Sequence, residues 1–218
     1  MAVAAGMYGA SVLAGQSQQI QMPPLTLVVV VDVTASMDPS EQVTLVVSGL
    51  GGLLEPGDRV RLGRIARTVA FGPWFVAPDS VAEAARVLEA PEGDQLGPSP
   101  IWDATDEALR LLEREDGRRA VIVWTDGRAS GNLVGRFDVA RRAQAAGVPI
   151  HVISPPTELV IRQTETTAVR VRPGVYLEWL AETTGGLFRV AMPEPNRPLG
   201  DPLEALGEIL DVLRHTSD

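Results

Sequence analysis

Four consecutive valines, Val28 to Val31, run straight into Asp32, and hydroxyl side chains follow at alternate positions, Thr34 and Ser36. Half-exposed strands alternate apolar and polar residues, so a run of this kind suits a central parallel strand covered on both faces. In open α/β sheets ligands bind where the carboxyl ends of the strands open into loops, and Asp32 stands at such an end. A carboxylate and two hydroxyls without Cys or His nearby form a hard, all-oxygen donor set. That set suits Mg²⁺, Mn²⁺ or Ca²⁺ better than zinc.

The chain of 218 residues is long enough to bury one full core, and one domain is expected over residues 23–218. A formal net charge of -9 opposes a phosphate backbone and argues against nucleic acid as a partner. The densest basic stretch, Arg59, Arg61, Arg64 and Arg67, reads as the wet face or guarded edge of a hairpin. With no cysteine there are no disulfides, thiolate metal sites or cysteine nucleophiles. All 19 basic residues are arginine, so no lysine reaches a phosphate or forms a Schiff base. His151 opens an expected strand and His215 lies near the end, positions that suit structural or surface roles.

Residues 1–22 are rich in Ala, Gly, Ser and Gln, with an apolar stretch from Met1 to Ala14. They read as a leader, with Val12 and Ala14 near a cleavage point, or as a disordered segment; a basic start is lacking. A leader implies a secreted or periplasmic protein, and the alternative leaves the cytoplasm open. No segment reaches membrane-spanning length.

After residue 24 strand and helix patterns alternate, which predicts an α/β, doubly wound (Rossmann-like), mostly parallel sheet with helices on both faces. Strands are expected at Leu25–Val31, at Arg59–Ala66 with Arg67–Phe71 as a hairpin, and at Ala120–Trp124, Pro149–Ile153 and Leu187–Val190. Helices are expected at about Ser40–Leu54, Pro78–Leu88, Ile101–Glu115, Arg136–Ala146, Tyr176–Thr184 and Asp201–Arg214. Asp38 is the expected N-cap of the first, with Pro39 at the first helical position. Thr157 to Arg172 is a polar excursion that could pair as a marginal hairpin, and Trp74 with Phe75 is expected to close a loop onto the sheet.

Three loops then line up: Asp32-Val33-Thr34-Ala35-Ser36, Gly97-Pro98-Ser99-Pro100, and Thr125-Asp126-Gly127. The first and third follow strands that fall side by side in such a sheet, and the second can cover them. In this order the segments resemble the von Willebrand factor type A domain, whose metal-ion-dependent adhesion site reads Asp-x-Ser-x-Ser, then Thr, then Asp. Leu54 to Val60, Ile101 to Ala104 and Leu180 to Gly186 resemble the segments that accompany it, and the likeness covers roughly residues 24 to 190. The resemblance implies metal residues Asp32, Thr34, Ser36, Ser99 and Asp126, the hydroxyls touching the ion and the acids acting mostly through water. Mg²⁺ is the implied ion, with Mn²⁺ or Ca²⁺ as options. Thr34 stands where the pattern has Ser, and Ser99 where it has Thr; both keep the hydroxyl.

Each of these residues also has a plainer reading. Asp, Thr and Ser are favoured at strand ends and caps for local hydrogen bonds, so Thr125-Asp126-Gly127 could be an ordinary turn and Ser99 a helix cap. Trp102 could anchor a partner at the rim or pack in the core, and Arg128 could recruit an acidic partner or be solvated. Trp124 reads as core. The resemblance implies a non-enzymatic, divalent-metal-dependent protein-binding domain, bacterial in type, whose protein partner supplies an Asp or Glu carboxylate to the ion. The alternatives are an A-domain adaptor or chaperone working with an ATPase, a scaffold without metal, and metal-assisted hydrolysis with Asp38 or Asp103 as base.

Overall fold

A computed structural model describes residues 23–77, 81–91, 93–156, 160–163, 168–171, 174–194 and 197–215. The leader or disordered segment expected at residues 1–22 lies outside them. The valine run forms β1 (Leu25–Asp32), and all eight of its residues are buried. It lies between β2 (Arg59–Ile65) and β4 (Arg118–Trp124), parallel to both. β3 (Ala70–Val76) pairs antiparallel with β2 at one edge. β5 (Ile150–Ser154) and β8 (Phe188–Val190) continue the parallel set beyond β4, giving the order β3-β2-β1-β4-β5-β8.

Alternate residues of β1 feed two cores. Leu25, Leu27, Val29 and Val31 pack with residues of α1 (Pro39–Leu53), the short α2 (Val81–Ala84) and α6 (Pro202–His215). Val28 and Val30 pack on the other face with α3 (Ile101–Leu112), α4 (Arg136–Ala146) and α5 (Val175–Thr184). Helices on both faces leave no wet side to the central strand, which is why its sequence does not alternate. The strand order reverses at β1, so the crevice between the carboxyl ends of β1 and β4 is the topological switch point.

The expected hairpin forms, but its second strand begins at Ala70 rather than Arg67. Asp94 holds the intervening turn: its carbonyl accepts the Arg67 N–H at 3.0 Å and its carboxylate the Thr68 hydroxyl at 2.5 Å. Trp74 and Phe75 therefore belong to β3 and close no loop. Arg59 and Arg61 stack on the Trp74 ring at 5.1 and 5.9 Å, and β3 shields β2 from the sheet edge. Asp38 precedes α1 in a left-handed conformation (φ 47°) and makes no side-chain cap. Its carboxylate accepts the Ser40 hydroxyl at 3.0 Å instead. Of the helix expected over Pro78–Leu88, residues 78–80 lie outside the described residues and the rest forms α2 and a 3₁₀ turn over Ala85–Leu88, and the one expected to Glu115 ends at Leu112. Within the Thr157 to Arg172 excursion, β6 (Val160–Gln163) and β7 (Ala168–Val171) pair antiparallel. β9 (Met192–Glu194) and β10 (Arg197–Asp201) form a second small ribbon before α6.

The far end of the sheet is clamped by Asp58, buried in the Glu55-Pro56-Gly57-Asp58 turn. Its carboxylate accepts the Leu25 and Glu55 N–H groups, each at 2.9 Å, and the Arg214 guanidinium of α6 at 3.0 Å. One carboxylate thus fixes the start of β1 and the end of the last helix.

His151 of β5 is 1% exposed, and its Nδ1 accepts the Leu187 N–H at 3.1 Å. Burial, aided by the nearby Arg189 charge, lowers its pKa to about 4. The unfolded chain binds a proton near the ordinary 6.5, so between these values unfolding takes up protons. Stability is expected to be whole above about pH 6.5 and to fall by about 3 kcal/mol as pH drops to about 4. Urea titrations across that window are the check, and His151→Gln should flatten the slope.

Candidate functional site

Asp32 ends β1 with a carboxylate that is wholly buried at 0% exposure. Four donors from three segments meet it. Oδ1 accepts the Thr34 N–H at 3.0 Å and the Thr34 hydroxyl at 2.6 Å, and Oδ2 accepts the Ser99 hydroxyl at 2.9 Å and the Thr125 hydroxyl at 2.6 Å. Ser36, in a 3₁₀ turn over Ala35–Met37, brings its Oγ to 3.4 Å from Thr34 Oγ1. Burial raises the Asp32 pKa above its ordinary value, and the hydrogen bonds from Thr125, Thr34 and Ser99 pull the other way. The donors are neutral, so the negative charge stays uncompensated where water is scarce.

Each segment is placed by its backbone. The Val33 N–H continues the ladder onto the Ile65 carbonyl at 2.9 Å, and the Thr125 N–H does the same onto Ile153 at 3.1 Å. Ser99 does not cap α3 with its side chain; its hydroxyl crosses to Asp32. Its backbone exchanges two bonds with Ser130, the Ser99 N–H giving to Ser130 Oγ at 3.0 Å and the Ser130 N–H to the Ser99 carbonyl at 2.8 Å.

Asp126 turns its carboxylate to Arg128. Oδ1 accepts the Arg128 N–H at 3.0 Å and Oδ2 faces its Nε at 3.3 Å. The Arg128 side chain is half-exposed, so this ion pair is screened and weak. The structure thus brings Asp32, Thr34 and Ser99 together, sets Ser36 beside Thr34, and leaves Asp126 at the end of β4 with an arginine. Thr125, absent from the expected set, is the donor on the β4 side; a hydroxyl continuing an apolar strand at its carboxyl end was the available signal. Trp102 is corrected as a rim residue: it is 8% exposed, packs in the second core and donates its backbone N–H to Asn132 Oδ1 at 2.7 Å. Trp124 is buried as expected.

The chemistry of this donor set fits a hard cation. Hydroxyls that give their protons to Asp32 keep oxygen lone pairs free, and among the described residues the buried anion has no positive neighbour in direct contact. Among the described residues no three His, Cys, Asp or Glu side chains gather into a metal cluster, so any cation here would depend on hydroxyl ligands.

No protein-family model matches the chain, and no curated protein matches its sequence. Solved structures do. BatB from Bacteroides thetaiotaomicron is similar with a TM-score of 0.60 at 17% identity, over 88% of this chain and 100% of that one. A von Willebrand factor type A protein from Catenulispora acidiphila gives 0.56 at 15% identity, over 86% of this chain and 43% of that one. Proximal thread matrix protein 1 of the mussel byssus, in a form whose metal-ion-dependent adhesion site motif is occupied by zinc, gives 0.59 at 16% identity, over 88% and 46%. The chain has the von Willebrand factor type A fold, a doubly wound α/β sheet with helices on both faces.

A buried charge held only by neutral donors costs stability that an uncharged side chain avoids. Asp32→Asn is therefore expected to melt higher than the unsubstituted protein in chelator at pH 7. An equal or lower midpoint would show that the hydrogen bonds outweigh the desolvation.

Proposed function

We propose that this is a divalent-cation-dependent protein-binding domain, without catalytic activity, in which a partner's Asp or Glu carboxylate completes the coordination of an ion held at the end of β1. The observation that carries the reading is the desolvated Asp32 carboxylate ringed by hydroxyls from three loops. Asp32, Thr34, Ser36, Ser99 and Asp126 would hold the ion, with Mg²⁺ favoured by the all-oxygen set and Mn²⁺ or Ca²⁺ as substitutes. A cation bound there supplies one electrophilic position for an outside carboxylate. Thr125 and Thr34 fix the Asp32 carboxylate from both oxygens, so its orientation is set before any ligand arrives. The mussel protein with zinc in its adhesion-site motif supports a divalent ion on this fold.

Absence of catalysis rests on what surrounds the cluster. Of the two alternative bases, Asp38 has its carboxylate on the Ser40 hydroxyl, and Asp103 is committed to the loop that follows β4. Its carboxylate accepts the Leu133 N–H at 2.9 and 3.0 Å and the Val134 N–H at 2.7 Å. His151 stands in the first half of β5, toward the opposite end of the sheet. Among the described residues no helix is long and apolar enough to cross a membrane.

A second reading, a scaffold that engages its partner without a cation, draws on the Asp126–Arg128 pair, since that arginine already neutralises one of the two acids. Thermal melts separate the two. Under the first reading Mg²⁺ at about a hundred times its Kd stabilises the fold by about 2.7 kcal/mol, and Asp32→Ala abolishes the shift. Identical midpoints with Mg²⁺, Mn²⁺, Ca²⁺ and chelator would leave the scaffold. Arg128→Ala is expected to tighten Mg²⁺ binding several-fold by releasing Asp126, measured by calorimetric titration; unchanged affinity would remove Asp126 from the site.

A further inference from the structure

Of the eight large apolar side chains exposed among the described residues, four fall at the starts of two neighbouring helices: Leu133 at 95% and Phe137 at 60% before and within α4, Val175 and Tyr176 opening α5. Isolated exposed apolar residues are ordinary, but a cluster of them marks an interaction surface. Two of them, Phe137 and Tyr176, are joined through Arg136. The Phe137 ring meets Trp179 edge-on with centroids 5.2 Å apart, and the Arg136 guanidinium lies 4.7 Å from the Phe137 centroid and 4.0 Å from that of Tyr176. Arg136 has no carboxylate partner among the described residues, although the chain is acidic overall.

The loop that carries Leu133 is not slack. Ser130 exchanges two backbone bonds with Ser99, and Asn132 takes the Trp102 N–H. A Cβ on Gly131, at φ +69°, would fall 2.7 Å from Pro98. Asp103 holds the Leu133 and Val134 N–H groups from the first turn of α3. Leu133 is therefore held out in water by the same segment, residues 98–103, that delivers Ser99 to Asp32. Holding an apolar side chain exposed on a fixed loop costs hydration free energy that a bound partner returns.

We propose that Leu133, Phe137, Val175 and Tyr176, with Arg136 stacked among them, form a platform for a protein segment that is acidic and carries apolar side chains beside its carboxylates. The occupant follows from charge. Arg136, stacked on Phe137 and Tyr176, favours an acidic ligand, whereas a second copy packed two-fold on this patch would set Arg136 against Arg136. The platform supplies the side-chain specificity that a single metal–carboxylate bond lacks. It rests on the metal-site reading for the direction of the ligand, but its apolar preference stands separately.

The test uses an array of nine-residue peptides with a central aspartate, flanked by leucine and phenylalanine or by serine, each with and without a second glutamate. Binding is read for the unsubstituted protein, Leu133→Ser with Phe137→Ser, Arg136→Gln, and Asp32→Ala, with Mg²⁺ and with chelator, after melts confirm folding. The platform requires at least about tenfold preference for apolar flanks on the unsubstituted protein, lost in the double variant, with Arg136→Gln erasing the gain from the second glutamate. Should that preference survive chelator and Asp32→Ala, the platform stands and the metal-site reading fails. No binding, or a preference unchanged in the double variant, overturns the platform. Sedimentation that finds a dimer dispersed by Phe137→Ser assigns the patch to a second copy and overturns the acidic-segment proposal too.

Discussion

A carboxylate sealed at the end of the central strand is the constraint on which the rest of the molecule depends. Asp32 cannot reach water, so its four lone-pair directions must be met from within, and the three loops that meet them are thereby fixed to one another. Thr34 comes from the turn after β1, Ser99 from the segment before α3, and Thr125 from the end of β4. Losing any one donor leaves part of a buried charge unpaired, at a cost of about 1–3 kcal/mol. Hydrogen bonding at this point therefore couples the chain's first half to its second alongside the strand ladder.

The opposite end of β1 is fastened by the same device with another acid. Asp58 gathers the Leu25 and Glu55 N–H groups and the Arg214 guanidinium, which also gives a bond to the Leu53 carbonyl at 3.0 Å. Here the carboxylate has a full positive partner, so charge is balanced inside the fold. Asp106 on α3 is balanced likewise, between Arg110 and Arg142 of α4, and the Asp106 and Glu113 carboxylates raise the pKa of Arg142. Asp32, with only neutral donors, differs from both. That contrast supports the proposed cation site at the β1 end, while the other two acids serve as internal joints.

The sequence made this architecture legible wherever a local pattern had only one structural outcome. Val28 to Val31 admits only a strand covered on both faces, and Arg136 to Ala146 followed by Gly147 fixes a helix and its left-handed cap, φ 61°. Legibility failed where a distant partner decided. Asp94 moved the hairpin turn and so drew Trp74 and Phe75 into β3, and nothing near Arg67 signals an aspartate 27 positions on. Asp106 pairs with Arg110 at helical spacing, which is readable, and with Arg142, which is not. Asp32, Thr34 and Ser99 were legible as donors because each sits at the mouth of an element. Thr125 is not legible as a donor because the charge in that turn belongs to its neighbour Asp126, yet the Thr125 hydroxyl makes the bond.

Asp126 is held differently from Asp32. Its pairing with Arg128 joins neighbours two positions apart through a half-exposed guanidinium, a contact formed without ordering any other segment. Such a pair contributes little stability and is easily given up when a stronger positive charge is offered. Asp32, by contrast, is held by bonds that span up to 93 residues and cannot be withdrawn without disturbing the sheet mouth. The two acids therefore differ by their surroundings: one is fixed and desolvated, the other is tethered to a displaceable arginine, and in the proposed cation site the first would supply the attraction and the second would adjust. Under the proposed function a cation reaching this mouth would meet a preformed half-site on β1 and would complete the other half by competing with Arg128, so the arginine would set how much of the Asp32 attraction appears as net affinity.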